Sequence, residues 1–367
     1  MNDLLDEVEI QATEPTLKPE AGKAAKDDVA RLLGMARAGF GAKKGPSNGV
    51  RRAQMDASVA RQRAIAALTA DPIKHPMHNT CMATIAALHA WRKVGGKTAR
   101  GMLVTGLTGS GKSTIAKGYA GDYPPYDEDE RTVIPVLYVE LPSQPTSKVI
   151  AEAFLNAMGD PYAERGGAEQ KLHRIRHLLT ACSVELVIID EFQHITDNLD
   201  ARNRDIAADT LKNLMNNSCV PFVFLGGPSC GGYFVKNQQL NRRCTPKISL
   251  RPFGLVTEEE GEIFQSMLKS LEERLPFEKE SALMDLDLIE PLWFASFGLI
   301  GHLTQLVAAA LDIALDAKAP TLSRQHLNRA FAETIYVGCP DTRNPFHKKF
   351  NNRPLTEALE PFFGFEQ

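Results

Sequence analysis

The apolar residues of the chain follow two alternating rhythms. Gly101 to Thr105, Val133 to Glu140, Leu186 to Asp190 and Val220 to Gly227 are short runs with few breaks, and Lys247 to Leu250 is a shorter fifth. Such runs read as strands buried on both faces. Pro135 inside the second run removes a ladder donor, which places that strand toward a sheet edge or marks a bulge. Between the runs the spacing turns helical. Thr80 to Val94 carries Met82, Ile85, Leu88 and Trp91 and stops at Gly95-Gly96; Thr114 to Ala120 follows the first strand; Thr146 or Ser147 caps a helix through Met158; and Ala168 to Cys182 aligns Leu172, Ile175 and Leu179 on one side. Strand and helix in alternation predict an α/β fold with a parallel sheet covered on both faces.

From about residue 254 the strands cease. Thr257-Glu258-Glu259-Glu260 spells a capping box that opens a helix to about Arg274, and helical spacing continues through Leu299 to Leu315 and Ser323 to Glu333. This predicts a small helical domain over 254–337, after an α/β domain over 67–253. The two ends differ from both. Residues 1–66 mix an acidic start with Pro15, Pro19, Gly39, Gly41, Gly45 and Pro46, and read as a mobile arm. The second half of that arm holds Arg31, Arg37, Lys43, Lys44, Arg51, Arg52, Arg61 and Arg63, which suit either DNA phosphates, an acidic partner or plain solvent. Residues 338–367 combine prolines with Phe346, Phe350, Phe362, Phe363 and Phe365, a mixture that predicts docking onto a partner or a neighbouring subunit.

Composition narrows the class without naming a chemistry. With 367 residues, 43% hydrophobic and 24% charged, the chain can bury sizeable cores. A net charge of −3 means that any DNA contact must come from a local patch. The six cysteines form no C-x-x-C pair, which argues against a zinc site or a disulfide framework and for a reducing cytosol. No apolar run reaches a membrane-spanning length and the start is acidic, so a cytoplasmic location is expected. His75 with His78, and His173 with His177, lack a nearby third ligand for a metal.

The chemistry is concentrated after the first strand. Gly106-Leu107-Thr108-Gly109-Ser110-Gly111-Lys112-Ser113 fits the phosphate-binding loop G-x-x-x-x-G-K-[ST] in its strand-then-helix setting. Gly106, Gly109 and Gly111 are expected at positive φ, which turns successive N–H groups of the loop, Thr108 and Ser110 included, toward a polyphosphate. The helix start at Thr114 adds its positive end. Lys112 is expected to reach the β- and γ-phosphates of ATP, and the Ser113 hydroxyl to ligate Mg²⁺. The run ending in Asp190-Glu191 reads as a Walker B strand, with Asp190 on the Mg²⁺ side and Glu191 activating the attacking water. Before the last strand stand Arg242 and Arg243, which suit either the γ-phosphate site of an adjacent subunit or a surface ion pair.

Together these residues resemble an AAA+ P-loop NTPase with a C-terminal α-helical lid. More narrowly, the chain resembles the TniB/TnsC family, ATP-dependent regulators of transposition in Tn-seven-like, mercury-resistance and CRISPR-associated transposons. The resemblance rests on Ile73-Lys74-His75-Pro76, Gly106 to Ser113, Leu186 to His194, Val220 to Pro228, Leu240-Asn241-Arg242-Arg243 and Gly298 to Leu303, and spans about residues 71–335. It implies rings or filaments on duplex DNA, linking a TniQ-type target-selection protein to transposase subunits, with hydrolysis driving disassembly. It also implies that Arg243, with Arg242 second, acts across a subunit interface. Gln144, Thr146 and Lys148 fall where related rings track the DNA backbone, although capping by Thr146 explains that residue equally well. Two departures predict slow turnover. Gly227 stands where many relatives have a polar sensor, which is then either missing or supplied by Ser229, and Gly301-His302 stands where many AAA+ proteins have a lid arginine. An initiator or helicase loader of the same superfamily, or an oligomerising signalling NTPase, would share the core motifs.

Overall fold

The computed structural model describes residues 48–365 except Lys97 and Ala99, with side chains from Met55 onward. The acidic start, Arg31, Arg37, Lys43 and Lys44 lie outside the described residues, as do the side chains of Arg51 and Arg52. Helix α1 (Asn48–Thr69) leads into α2 (Pro76–Lys93), β1 (Gly101–Gly106) and α3 (Lys112–Gly121). A small antiparallel hairpin, β2 (Tyr126–Glu128) and β3 (Arg131–Val133), precedes β4 (Val136–Glu140), α4 (Ser147–Ala157), α5 (Ala168–Ala181) and β5 (Leu186–Asp190). Then come α6 (Gln193–Asn198), α7 (Ala201–Ser218), β6 (Phe222–Gly226), α8 (Ser229–Lys236), α9 (Gln238–Arg243) and β7 (Cys244–Leu250). The lid follows as α10 (Glu258–Glu272), α11 (Ile289–Ser296), α12 (Ile300–Asp316) and α13 (Arg324–Ala330), the last continued by a π turn over Phe331–Ile335.

Five parallel strands run in the order β4-β5-β6-β1-β7, so the expected parallel sheet is present. Strand alternation divides its side chains between two cores. Leu103, Val187, Ile189, Phe222 and Phe224 face α4, α5 and α7 through Phe154, Ile175 and Leu211. Met102, Val104, Ile188, Val223 and Leu225 face α2 and α3 through Ile85, Ile115 and Tyr119. Pairing of Thr105 with Gly226 and of Glu140 with Asp190 brings the carboxyl ends of β1, β6, β5 and β4 into one row. That row is where an open α/β sheet exposes its loops to ligands.

Three expectations are corrected. The single strand over Val133–Glu140 is two, because Pro135 cannot donate to a ladder: Val133 ends the hairpin and β4 starts at Val136, on the sheet edge. The arm expected over residues 1–66 gives way at Asn48 to a helix whose last turns bury Ala64 and Leu68. Arg61 on that helix bridges Asp312 and Asp316 of α12. The tail does not hold its phenylalanines out for a partner. Phe346, Leu355 and Phe362 are buried in the lid core, and Phe350 lies 5.2 Å from the ring of Phe294. Buried Arg343 braces the tail internally through Glu360 at 2.6 Å and the Pro354 carbonyl at 2.8 Å, and Arg324 ties it to the lid by donating to the Phe346 carbonyl at 3.0 Å. Burial raises the Glu360 carboxyl, but hydrogen bonds from Arg343 and the Glu357 N–H outweigh it and hold the group below its usual range. Phe363 and Leu359 remain exposed.

Phe362 is fully buried and stands 5.4 Å from the Phe297 ring and 5.3 Å from His302. Truncation to alanine is therefore expected to cost about 3–5 kcal/mol of lid stability, read by chemical denaturation of the full chain. A loss below about 1 kcal/mol would mean that the tail is not part of the core. Among the described residues, no single helix is long and apolar enough to cross a membrane.

Candidate nucleotide site

The loop between β1 and α3 is shaped by two glycines in the left-handed region, Gly109 at φ 83 and Gly111 at φ 90, and Gly111 caps α3. Gly106 is not at positive φ, contrary to expectation. It is glycine for lack of room: a Cβ there would stand 2.7 Å from the Leu250 carbonyl oxygen and 2.6 Å from the Ser110 hydroxyl. That hydroxyl is buried without a hydrogen-bond partner. Lys112 is also buried, and its Nζ donates to the carbonyls of Gly106 at 2.8 Å and Leu107 at 2.9 Å. Burial lowers its pKa, while the charges of Asp190 and Glu191 oppose that shift. The ammonium is thus turned back onto its own loop.

Across the cleft, Asp190 ends β5 and is 1% exposed. One of its carboxylate oxygens accepts the Glu191 N–H at 2.8 Å, and the other accepts the Tyr138 hydroxyl at 2.8 Å from β4. Burial pushes the Tyr138 hydroxyl upward, with the Asp190 charge adding to it, so it stays a donor. Glu191 adopts φ 60, a backbone that a non-glycine residue keeps only where its surroundings impose it. Its carboxylate accepts from Gln193 Nε2, and Gln193 Oε1 accepts the Gly227 N–H at 3.0 Å. His194 donates through Nδ1 to the Leu141 carbonyl, 2.8 Å away.

The glycine-rich loop and the Glu191 carboxylate form one end of a cleft of about 540 Å³ lined by Thr108, Gly109, Gly111, Lys112, Ser113, Thr114, Glu191 and Gln193. The other end is apolar and comes from distant sequence: Leu68, Pro72, Ile73 and Ile300, with His75 and His78. Arg274 of α10 closes this end by donating to the carbonyls of Leu68 at 3.2 Å and Asp71 at 2.5 Å. His75 caps α2, its Nδ1 accepting the His78 N–H at 3.2 Å. Burial, with His78 beside it, pushes His75 down to about 4, so the accepting nitrogen is unprotonated at neutral pH.

The lid touches the loop directly. Gly301 donates to the Gly109 carbonyl at 2.8 Å, and a Cβ on Gly301 would fall 2.9 Å from Gly109 Cα. His302 stands over Gly109 on one side and against Phe362 on the other, and burial lowers its pKa. Thr304 and Gln305, one turn on, line the cleft.

The remaining candidate residues lie elsewhere. Arg242 is exposed and Arg243 half-buried against Asn216, and neither lines the cleft of its own chain. Gln144 and Thr146 are exposed between β4 and α4, and Lys148 is exposed in the first turn of α4. Thr146 caps α4 through the Val149 N–H at 3.4 Å, and Lys148 sits 3.9 Å from Glu152. Ser229 faces Thr196 at 3.1 Å and does not line the cleft. Sequence reasoning assigned no role to Tyr138, Gln193, Arg274 or the segment from Leu68 to His75. Gln193 alone had a local signal, its place two residues beyond Glu191.

Comparison with known proteins agrees with this geometry. Three solved structures share the fold. The ORC1 protein of Aeropyrum pernix, determined in complex with DNA, superposes with a TM-score of 0.56 at 18% identity over 74% of this chain and 69% of its own. Cdc6p of Pyrobaculum aerophilum gives 0.55 at 11% over 74% and 70%. The ORC2 protein of Aeropyrum pernix, in ADPNP–ADP complexes, gives 0.53 at 15% over 74% and 71%. These likenesses establish the AAA+ fold. Curated proteins yield no sequence match. A family model described as bacterial TniB protein matches residues 64–253 and so takes in α2, the whole five-stranded sheet and both carboxylates of the cleft. The chain belongs to the TniB family, with an AAA+ fold carrying a helical lid.

Proposed function

We propose that the chain is an ATP-hydrolysing switch for DNA transposition, which assembles on duplex DNA with ATP bound and leaves it after hydrolysis. The observation that carries this is the cleft itself: a glycine-rich loop, a buried Lys112 and the Glu191 carboxylate at one end, with buried Asp190 at the strand end beside it, an apolar wall at the other, and the lid helix seated on Gly109. Family membership supports the transposition role.

The triphosphate is held by the loop N–H groups from Thr108 to Thr114 and by Lys112. Its base lies toward Leu68, Ile73 and Ile300, where apolar side chains and the backbone around Asp71 suit a flat heterocycle. Ser113 and Asp190 offer a hydroxyl and a carboxylate, the hard oxygen donors that Mg²⁺ prefers, and the ion when bound neutralises phosphate charge. Glu191 takes a proton from the attacking water. Arg243, with Arg242 beside it, completes the cleft of a neighbouring copy. The exposure of Arg242 and its distance in the fold from its own cleft support that assignment. Gln144, Thr146 and Lys148 contact the DNA backbone without reading sequence. TniQ-type target selectors and transposase subunits are the protein partners that the family suggests.

Imaging the protein with duplex DNA and a non-hydrolysable ATP analogue tests the reading. Regular arrays of repeating copies on DNA are expected, and none without nucleotide. A chain that stays monomeric and indifferent to DNA with ATP and magnesium saturating overturns it.

A further inference from the structure

Gln193 is the one side chain in the cleft whose amide orientation its neighbours dictate. Gly227 presents an N–H, so the amide atom 3.0 Å away must be the oxygen. Nε2 is thereby turned onto the Glu191 carboxylate. The seat is tight: a Cβ on Gly226 would come within 3.1 Å of Gln193 N and 3.2 Å of Gln193 Oε1. Glu191 enters this arrangement with φ 60 and with its own N–H bound to Asp190, so little freedom is left in its backbone. A second tie, between Thr196 and Ser229 at 3.1 Å, holds α6 to α8 without involving Glu191.

We propose that Gln193 is the positioning residue of hydrolysis, strapping the Glu191 carboxylate to the Gly227 N–H at the tip of β6. The proposal rests on the hydrolytic reading of the cleft. β6 lies beside β1, whose tip starts the phosphate loop. A carboxylate referred to β6 is therefore fixed relative to the strand that carries the phosphate loop. One carboxylate oxygen accepts the amide hydrogen bond and the other is left for water. In the step, a water O–H bond breaks and its proton passes to Glu191. The oxygen pair bonds to the terminal phosphorus, and the bridging P–O bond breaks with its electrons leaving on ADP. Gly227, which has no side chain to sense the terminal phosphate, still takes part through its backbone N–H.

Gln193→Met keeps the volume and removes both hydrogen bonds. Its kcat is expected to fall about tenfold to a hundredfold, with KM for ATP and affinity for a fluorescent ATP analogue within about twofold of the parent. Thr196→Val cuts the other tie of α6 and is expected to keep kcat within about twofold of the parent. Gln193→Asn, with the amide one methylene shorter, is expected to lose kcat as well, and it decides the matter if the methionine variant does not fold. Parental kcat in a folded Gln193 variant overturns the proposal. Equal losses from Gln193→Met and Thr196→Val also overturn it, since Gln193 would then only be scaffolding α6. A parent chain that binds ATP and hydrolyses none overturns the hydrolytic reading and this role together.

Discussion

Lys112→Ala is expected to weaken ATP binding at least a hundredfold and to abolish nucleotide-dependent assembly on DNA. The ammonium is buried, and it sits within 2.8–2.9 Å of two carbonyls at the mouth of the phosphate loop. Each hydrogen bond from a charged donor to a phosphate oxygen contributes about 1.5–3 kcal/mol. Two such bonds correspond to about a hundredfold or more in affinity. Removal also leaves Asp190 and Glu191, whose charges the lysine feels, without a cation beside the incoming phosphates. Titration with a fluorescent nucleotide reads the first effect and electron microscopy with DNA the second. Assembly equal to that of the parent would contradict nucleotide gating.

Glu191→Gln is expected to do the opposite to assembly. The substitution keeps size and shape, and the new amide can present its oxygen to Gln193 Nε2, so the strap to Gly227 survives. What is lost is the base. A positioned general base contributes about 10²–10⁴ in rate, so kcat should fall by that factor while nucleotide affinity stays near parental. Complexes on DNA should then persist once formed, because the step that releases them is blocked. Dissociation timed after dilution into competitor DNA reads this, and faster release than the parent would contradict the assignment of Glu191.

How much of this was legible in the residue order depends on how local each feature is. The phosphate loop is eight consecutive residues between a strand and a helix, and Asp190-Glu191 is a strand end, so spacing alone located both. Gly106 shows where local reasoning stops: its glycine answers to Leu250, far along the chain, and not to its own backbone angle. The apolar wall escaped notice for the same reason, since Leu68, Ile73, Arg274 and Ile300 share a cleft only after the lid has folded back. Helix α7 was missed because its sequence is largely polar, although Asp200 caps it through the Asn203 N–H at 2.9 Å and Ala207, Leu211 and Leu214 are buried along one side. In the tail, phenylalanine content alone does not distinguish docking onto an outside partner from packing onto the chain's own lid. Arg343 and Glu360 supply the buried pair that lets those rings fold onto α11 and α12 instead.

The salt bridges from Arg61 and the burial of Leu68 join α1 to the lid, so the first described helix belongs mechanically with the last ones. Among the described residues, only two covalent crossings connect that unit to the sheet, 70–75 and 251–257. They lie side by side, with the rings of His75 and Phe253 4.8 Å apart. The join is narrow, and it is fastened at the second crossing by the Phe253 N–H, which donates to the Gly298 carbonyl at 2.8 Å. On the function proposed above, a nucleotide would touch both bodies at once, its base against Leu68 and Ile300 and its phosphates against the loop after β1, so that the bound molecule itself would be a third join between them.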